Sequence, residues 1–88
     1  MNDPTDDTEV GRRLQALRAL IGLNKKDMAD ANGIDITNYG RFEAGARPLP
    51  QKVALRLAER YDVTLDWLYR GRWGGLPLEV ADRLRKRL

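Results

Sequence analysis

Four glycines divide the sequence into short segments, and each follows a stretch with helical character. Before Gly22, apolar residues recur at positions 10, 14, 17 and 21, the spacing of one helical face. Gly33, Gly45 and Gly71 end later segments, and a glycine just past a helix is a common terminator. No segment sustains the apolar–polar alternation of a half-buried strand. The sequence therefore predicts an all-α protein built from short helices.

Residues suited to helix starts indicate where these helices begin. Thr8, Asn24, Asp35 and Thr64 carry side-chain oxygens that can accept the free N–H groups of a first helical turn. Pro50 fits a first helical position, and Pro77 opens the last helix. The predicted helices span residues 9–21, 25–32, 36–43, 50–61, 65–70 and 77–88. We therefore expect an acidic tail (1–8), a compact five-helix domain (9–71) and a basic C-terminal extension with a short helix (72–88).

Missing residue types exclude several kinds of chemistry. The 88 residues include no His, no Cys and no Ser, so serine triads, Cys/His dyads and the usual zinc sites cannot form. Two carboxylate pairs, Asp27 with Asp30 and Asp62 with Asp66, have helical or loop spacing but no partner base. We predict no catalytic residue, no metal site and no cofactor, and therefore no enzyme.

Apolar runs are too short for a membrane span. The longest covers about residues 19–23 and is interrupted by Gly22, whereas a spanning helix needs about 20 apolar residues. The acidic N-terminus has no apolar run and is not a signal peptide. These features predict a cytoplasmic protein with no membrane partner.

Charge is distributed unevenly along the chain. Residues 1–10 contain four acidic and no basic side chains, residues 11–69 have a net charge of +3, and residues 70–88 have +4. A basic body indicates an anionic partner, and the alternative is a solvated surface that binds nothing. Charge alone does not separate the two.

Residues 22–48 contain two short helical segments joined by a tight turn at Gly33. This is the layout of a helix-turn-helix, here over about residues 24–43, whose second helix enters the major groove of DNA. The segment resembles the Cro/phage-repressor type of helix-turn-helix, also called the xenobiotic-response-element family, over about residues 10–71. The matching marks are Gly22-Leu23, Met28-Ala29, Gly33-Ile34, Arg41-Phe42-Glu43, Gly45, Leu57-Ala58 and the run from Val63 to Leu68.

The resemblance implies roles for particular side chains. Ile36, Thr37 and Arg41 occupy positions at which the family contacts bases. Arg41 can form a bidentate hydrogen bond with guanine, Thr37 can bond a base or contact a thymine methyl group, and Ile36 can only make an apolar contact with such a methyl group. The alternative for Ile36 is a semi-buried position against the second helix. Arg18 and Glu43 occupy the positions of a structural ion pair between the first and third helices.

Other residues are candidates for contact with DNA phosphates. Lys25 matches a phosphate-binding position at the start of the second helix. Lys26, Asn38 and Arg47 are further candidates, although Lys26 and Arg47 are equally suited to a solvated surface. Gly40 departs from the family pattern, because a glycine inside a helix lowers helix propensity by about 1 kcal/mol. It either permits close approach to DNA or merely weakens the helix.

The C-terminal segment has its own apolar edge. Val80, Leu84 and Leu88 recur at helical spacing, with Trp73 before them and basic residues around them. Three alternatives follow: packing against a second copy, packing onto the chain's own core, or contact of the basic side chains with the DNA backbone.

Together these features predict a sequence-specific regulator of transcription that binds double-stranded DNA. It would be a small prokaryotic or phage repressor that binds a palindromic operator as a homodimer. The alternative is an antitoxin-like or adaptor module on the same fold, with a protein partner and weak DNA readout.

Overall fold

Six α-helices follow one another in the computed structural model, which describes residues 3–88. No strand occurs among these residues, and the all-α prediction is confirmed. Met1 and Asn2, the first residues of the predicted acidic tail, lie outside the described residues. The helices are α1 (Asp7–Ile21), α2 (Lys25–Ala31), α3 (Ile36–Ala44), α4 (Gln51–Tyr61), α5 (Leu65–Arg70) and α6 (Leu78–Arg85).

Local capping chemistry sets most helix ends where the sequence predicted them. The side-chain oxygens of Asn24, Asp35 and Thr64 each accept a hydrogen bond from the backbone N–H three residues later. Helices α1, α3 and α5 end at glycines in the left-handed conformation, with φ values of 87°, 74° and 74°. These ends depend only on residues close in the chain.

The prediction that Thr8 caps the first helix is wrong. Asp6 occupies the capping position, where its backbone is extended and its carbonyl oxygen accepts the N–H of Val10 at 2.9 Å. Helix α1 therefore begins at Asp7, and Thr8 lies inside its first turn. An acidic side chain in this turn is favourable because it faces the positive end of the helix dipole.

The last helix is shorter than predicted at both ends. Pro77 lies just outside α6 with ψ at 140°, and its carbonyl oxygen accepts the first helical hydrogen bond. Pro50 stands in the same relation to α4. The helix ends at Arg85, because the N–H groups of the last two residues bond carbonyls only three positions back. Leu88 is therefore not part of α6.

The core forms around α1, which packs against α3, α5 and α6, while α2 packs against α3 and α4 against α5. The large side chains that are fully buried are Leu14, Leu17, Met28, Tyr39, Leu57, Trp67, Leu68 and Leu84. They come from all six helices. The core thus fixes the position of α2 and α3 relative to α1.

The C-terminal segment packs onto the chain's own core. Leu84 is fully buried, and Val80 is partly buried against the same cluster. The centroids of the Trp73 and Trp67 rings are 5.9 Å apart, and the Arg85 guanidinium lies over the Trp73 ring, 4.7 Å from its centroid. Leu84 is unavailable to a second copy in this arrangement, whereas Leu88 remains 46% exposed.

None of the helices in residues 3–88 is long and apolar enough to cross a membrane.

Candidate nucleic-acid interface

A tight turn with one left-handed residue joins α2 to α3. Gly33 has a φ of 66°, a conformation that residues with a side chain resist. Ile34 then packs against the core, and its N–H bonds the carbonyl oxygen of Ala29 at 2.9 Å. Ala29 is fully buried where the two helices meet. The turn therefore fixes the orientation of α3 relative to α2.

Side chains of α4 form hydrogen bonds with the end of α2, just before this turn. Arg56 donates a hydrogen bond to the carbonyl oxygen of Asn32, and Arg60 donates one to that of Ala31 at 2.6 Å. The buried Asn32 amide also donates to the Tyr61 hydroxyl at 3.0 Å. The two arginine contacts occupy carbonyl groups at the end of α2 that lack helical partners. Sequence reasoning missed them, because nothing near residue 32 predicts partners 24 to 29 positions away.

The two faces of α3 differ in environment. Tyr39, Phe42 and Glu43 face inward and are buried. Burial raises the pKa of the Tyr39 phenol well above its usual value, so this side chain stays neutral. The opposite face, which carries Thr37 and Arg41, is open to solvent, and Ile36 in the first turn is also exposed.

All three of the predicted base-contacting residues of α3 are accessible. Thr37 and Arg41 are exposed, and Ile36 is 45% exposed. We call the exposed surface of α3 that these three residues contribute to the α3 face. Asn38 lies at its edge and is half-buried.

The basic residues predicted to contact DNA differ in how far they are neutralised. Lys25, Arg41 and Arg47 are exposed and form no ion pair within residues 3–88. Lys26 instead pairs with Asp30 at 2.8 Å. Both groups of that pair are largely exposed, so the pair is weak and can exchange for a phosphate. Exposed, unpaired cations suit a polyanion.

An ion pair connects α1 to the inner side of α3. Arg18 Nε donates to Glu43 Oε2 at 2.7 Å, and Nη2 donates to Oε1 at 3.2 Å. The Glu43 side chain is 2% exposed and that of Arg18 is 22% exposed. Hydrogen bonding to Glu43 raises the pKa of the Arg18 guanidinium above its usual value. This two-point contact fixes the rotation of α3 about its axis.

Helices α1 and α3 also approach unusually closely. A Cβ atom on Gly11 would collide with the carbonyl oxygen of Glu43 and lie 2.8 Å from that of Phe42. The Gln15 amide donates to the same Glu43 carbonyl at 3.0 Å. Sequence reasoning did not single out Gly11, although a glycine inside a helix is itself a signal of close packing.

Gly40 has no such neighbour. A Cβ atom built there would meet nothing within 4 Å, and the residue lies in regular helix between Thr37 and Arg41. The fold therefore does not require a glycine at this position.

Helix α3 packs against α1 and α2 and presents an exposed, partly basic outer face. This arrangement defines a helix-turn-helix module for DNA binding. The family comparison agrees with this geometry: the helix-turn-helix model HTH_3 matches residues 14–68. The chain belongs to this family, the Cro/phage-repressor type of helix-turn-helix. Membership supports a general role as a DNA-binding regulator of transcription. The family is one of DNA-binding regulators and not of enzymes.

The two other comparisons add nothing to this assignment. No curated protein and no solved structure matched the chain significantly.

Proposed function

We propose that this protein is a sequence-specific regulator of transcription, a small prokaryotic or phage repressor acting in the cytoplasm. It binds double-stranded DNA through α3 as a homodimer on a palindromic operator. The observation that carries the proposal is the unpaired, exposed Arg41 on the α3 face. In the proposed complex, Ile36, Thr37 and Arg41 contact bases. The phosphate contacts come from Lys25, Lys26, Asn38 and Arg47.

Base contacts and phosphate contacts have separate consequences. Hydrogen bonds and apolar contacts to base edges in the major groove provide sequence preference. Contacts with phosphates position the protein and supply affinity that is independent of sequence. Lys25 suits the second role, because it is exposed and follows the N-cap of α2.

Selection on a pool of randomised duplexes tests the proposal. At ~150 mM salt, purely electrostatic binding is weak, so enrichment reports contacts with bases. We expect a two-fold symmetric site with half-sites about 34 Å apart, the separation of one DNA turn. A pool with no enriched sequence would contradict sequence-specific binding.

Replacing Arg41 with alanine is expected to weaken binding to the selected site by ~1–3 kcal/mol and to relax one base position. The guanidinium is the group that can bond both guanine acceptors. Titrations with the selected site, with single-base variants of it and with random DNA measure the effect. An equal loss on specific and random DNA would contradict a base contact.

Replacing Lys25 with alanine is expected to weaken binding to all sequences alike. Loss of one phosphate contact should reduce the slope of log affinity against log salt by about 1. Titrations at four or more salt concentrations, with the selected site and a scrambled duplex, measure it. A change of base preference without a change of slope would show that Lys25 contacts a base instead.

A second candidate function is an antitoxin-like or adaptor module that binds a protein partner. It is favoured by exposed apolar side chains, since Ile36 and Leu55 are 45% and 47% exposed and Leu78 is 74% exposed. This candidate predicts weak, salt-sensitive DNA binding with no enriched site. The selection experiment therefore separates the two functions.

A further inference from the structure

A groove lies between the outer face of α1 and the chain after α6. Its volume is about 440 Å³. Four basic side chains line it, Arg12 and Arg18 from α1 and Lys86 and Arg87 from the C-terminal end. No acidic side chain of residues 3–88 is among its lining residues. We call this the C-terminal groove.

The four cations differ in how far a partner neutralises them. Arg18 is committed to the buried Glu43, and Arg12 shares a longer contact of 3.3 Å with Glu9. Lys86 and Arg87 are exposed and form no ion pair in the described part of the chain. The groove therefore has a surplus of positive charge.

The basic residues within α6 are arranged differently from Lys86 and Arg87, which follow it. Arg83 pairs with Glu79 at 2.8 Å, and Arg85 pairs with Asp82 at 3.5 Å. Neither lines the groove. Over residues 78–88 the cations within α6 are therefore paired, whereas the two that follow it, Lys86 and Arg87, are unpaired and line the groove.

The C-terminal groove adjoins the helix-turn-helix through Arg18. Besides binding Glu43 of α3, the Arg18 guanidinium donates to the carbonyl oxygen of Leu23 at 3.1 Å. Leu23 lies two residues before Lys25, at the start of α2. One side chain thus lines the groove and also touches the segment that leads into α2.

We propose that the C-terminal groove binds DNA phosphates next to those held at the start of α2, with Lys86 and Arg87 as the contacting residues. The inference rests on the proposed function, because it extends the same DNA interface. Exposed, flexible cations suit the DNA backbone, where contacts are electrostatic and independent of sequence. A free anion or an acidic peptide would recognise the same charge, and the test separates these sources.

The test compares two double variants of the full chain. The first, Lys86→Ala with Arg87→Ala, removes the two unpaired groove cations. The control, Arg70→Ala with Arg83→Ala, removes two exposed cations that are paired within their own helices. Both variants lose the same net charge, so a general change in protein charge affects them equally. Circular dichroism melts first establish that both fold as the wild type does.

Affinity for the selected duplex is then measured over a series of salt concentrations. For the groove variant we expect the slope of log affinity against log salt to become shallower by about 1.8, which is two contacts at 0.9 each. The loss should be the same on a scrambled duplex, and the control should keep the wild-type slope. A duplex trimmed at its flanks should bind the wild type and the groove variant equally.

Other outcomes would overturn the inference in identifiable ways. If the wild type selects a site and the groove variant keeps its slope, the groove does not bind DNA although the proposed function stands. Equal slopes in the groove variant and the control, both shallower than wild type, would show a general charge effect. Saturable binding of inorganic phosphate or poly-glutamate at the groove, with an unchanged DNA slope, would assign it to those ligands. If the wild type selects no DNA, the proposed function itself fails.

Discussion

Replacing Arg18 with alanine is expected to lower the free energy of unfolding by ~3–5 kcal/mol. The Glu43 side chain is only 2% exposed, and its carboxylate accepts two hydrogen bonds from the Arg18 guanidinium, at 2.7 and 3.2 Å. Without Arg18 its carboxylate is left buried with no opposite charge, which costs more than the ion pair itself gains. A whole domain is stable by only ~5–15 kcal/mol, so this single change should be large in a urea melt.

Two further variants separate this effect from the loss of an ordinary surface pair. Replacing both partners, Arg18→Met with Glu43→Leu, should recover most of the loss, because no buried charge remains. Arg83→Ala breaks the exposed pair with Glu79 and should cost at most ~1 kcal/mol. If Arg18→Ala were no more destabilising than Arg83→Ala, the pair would not hold α3 in place.

Replacing Gly11 with alanine is expected to destabilise the fold by ~3 kcal/mol or more, at the upper end of the overpacking range. The new Cβ atom would collide with the carbonyl oxygen of Glu43 and lie 2.8 Å from that of Phe42. Both are backbone atoms, so α1 and α3 must move apart as units. Better helix propensity offsets only about 1 kcal/mol of this.

Gly40→Ala provides the matched control. It is the same substitution in a helix, at a position where the new atom meets nothing within 4 Å. Helix propensity alone should then act and stabilise the protein by about 1 kcal/mol. Opposite signs for the two variants in chemical denaturation would support the close α1–α3 contact. Stabilisation by Gly11→Ala would contradict it.

The contrast between these glycines bears on the function as well. A shift at Gly11 would move α3 against α1 and displace the α3 face without altering any residue on it. DNA affinity of Gly11→Ala is therefore expected to fall together with stability. Gly40→Ala changes the α3 face itself while leaving the core as it is.

The residues that the sequence placed well are those whose partners lie nearby in the chain. Asn24 and Asp35 bond N–H groups three residues later, and Gly33 and Gly45 adopt positive φ where helices end. Such contacts need only the local backbone, so composition and spacing suffice to predict them. The exposed positions of Thr37 and Arg41 also follow from helical periodicity once the start of α3 is known. Periodicity alone places Ile36 in line with the buried Glu43, and only the structure shows that Ile36 is 45% exposed.

The start of α1 near Thr8 is a case in which the local sequence allows several helix starts. Asp6, Asp7 and Thr8 all favour a helix start, and the sequence alone ranks them poorly. In the structure a Cβ atom on Gly45 would lie 2.7 Å from the Thr8 backbone, so Thr8 sits where the end of α3 meets α1. Helix α1 begins one residue before Thr8, at Asp7. The contact between Thr8 and the end of α3 is a tertiary contact that the local sequence does not show.

The sequence by itself determined the helical class, the helix-turn-helix and the face of α3 that meets solvent. Periodicity and capping depend on residues that are close together in the sequence, so the sequence alone shows them. Only the tertiary structure decided that α3 packs directly against Gly11, and that Arg56 and Arg60 bond the turn between α2 and α3. It also decided that Lys86 and Arg87 line the same groove as Arg18. These contacts join residues more than 20 positions apart. Their formation depends on how all six helices pack together, which no local pattern specifies.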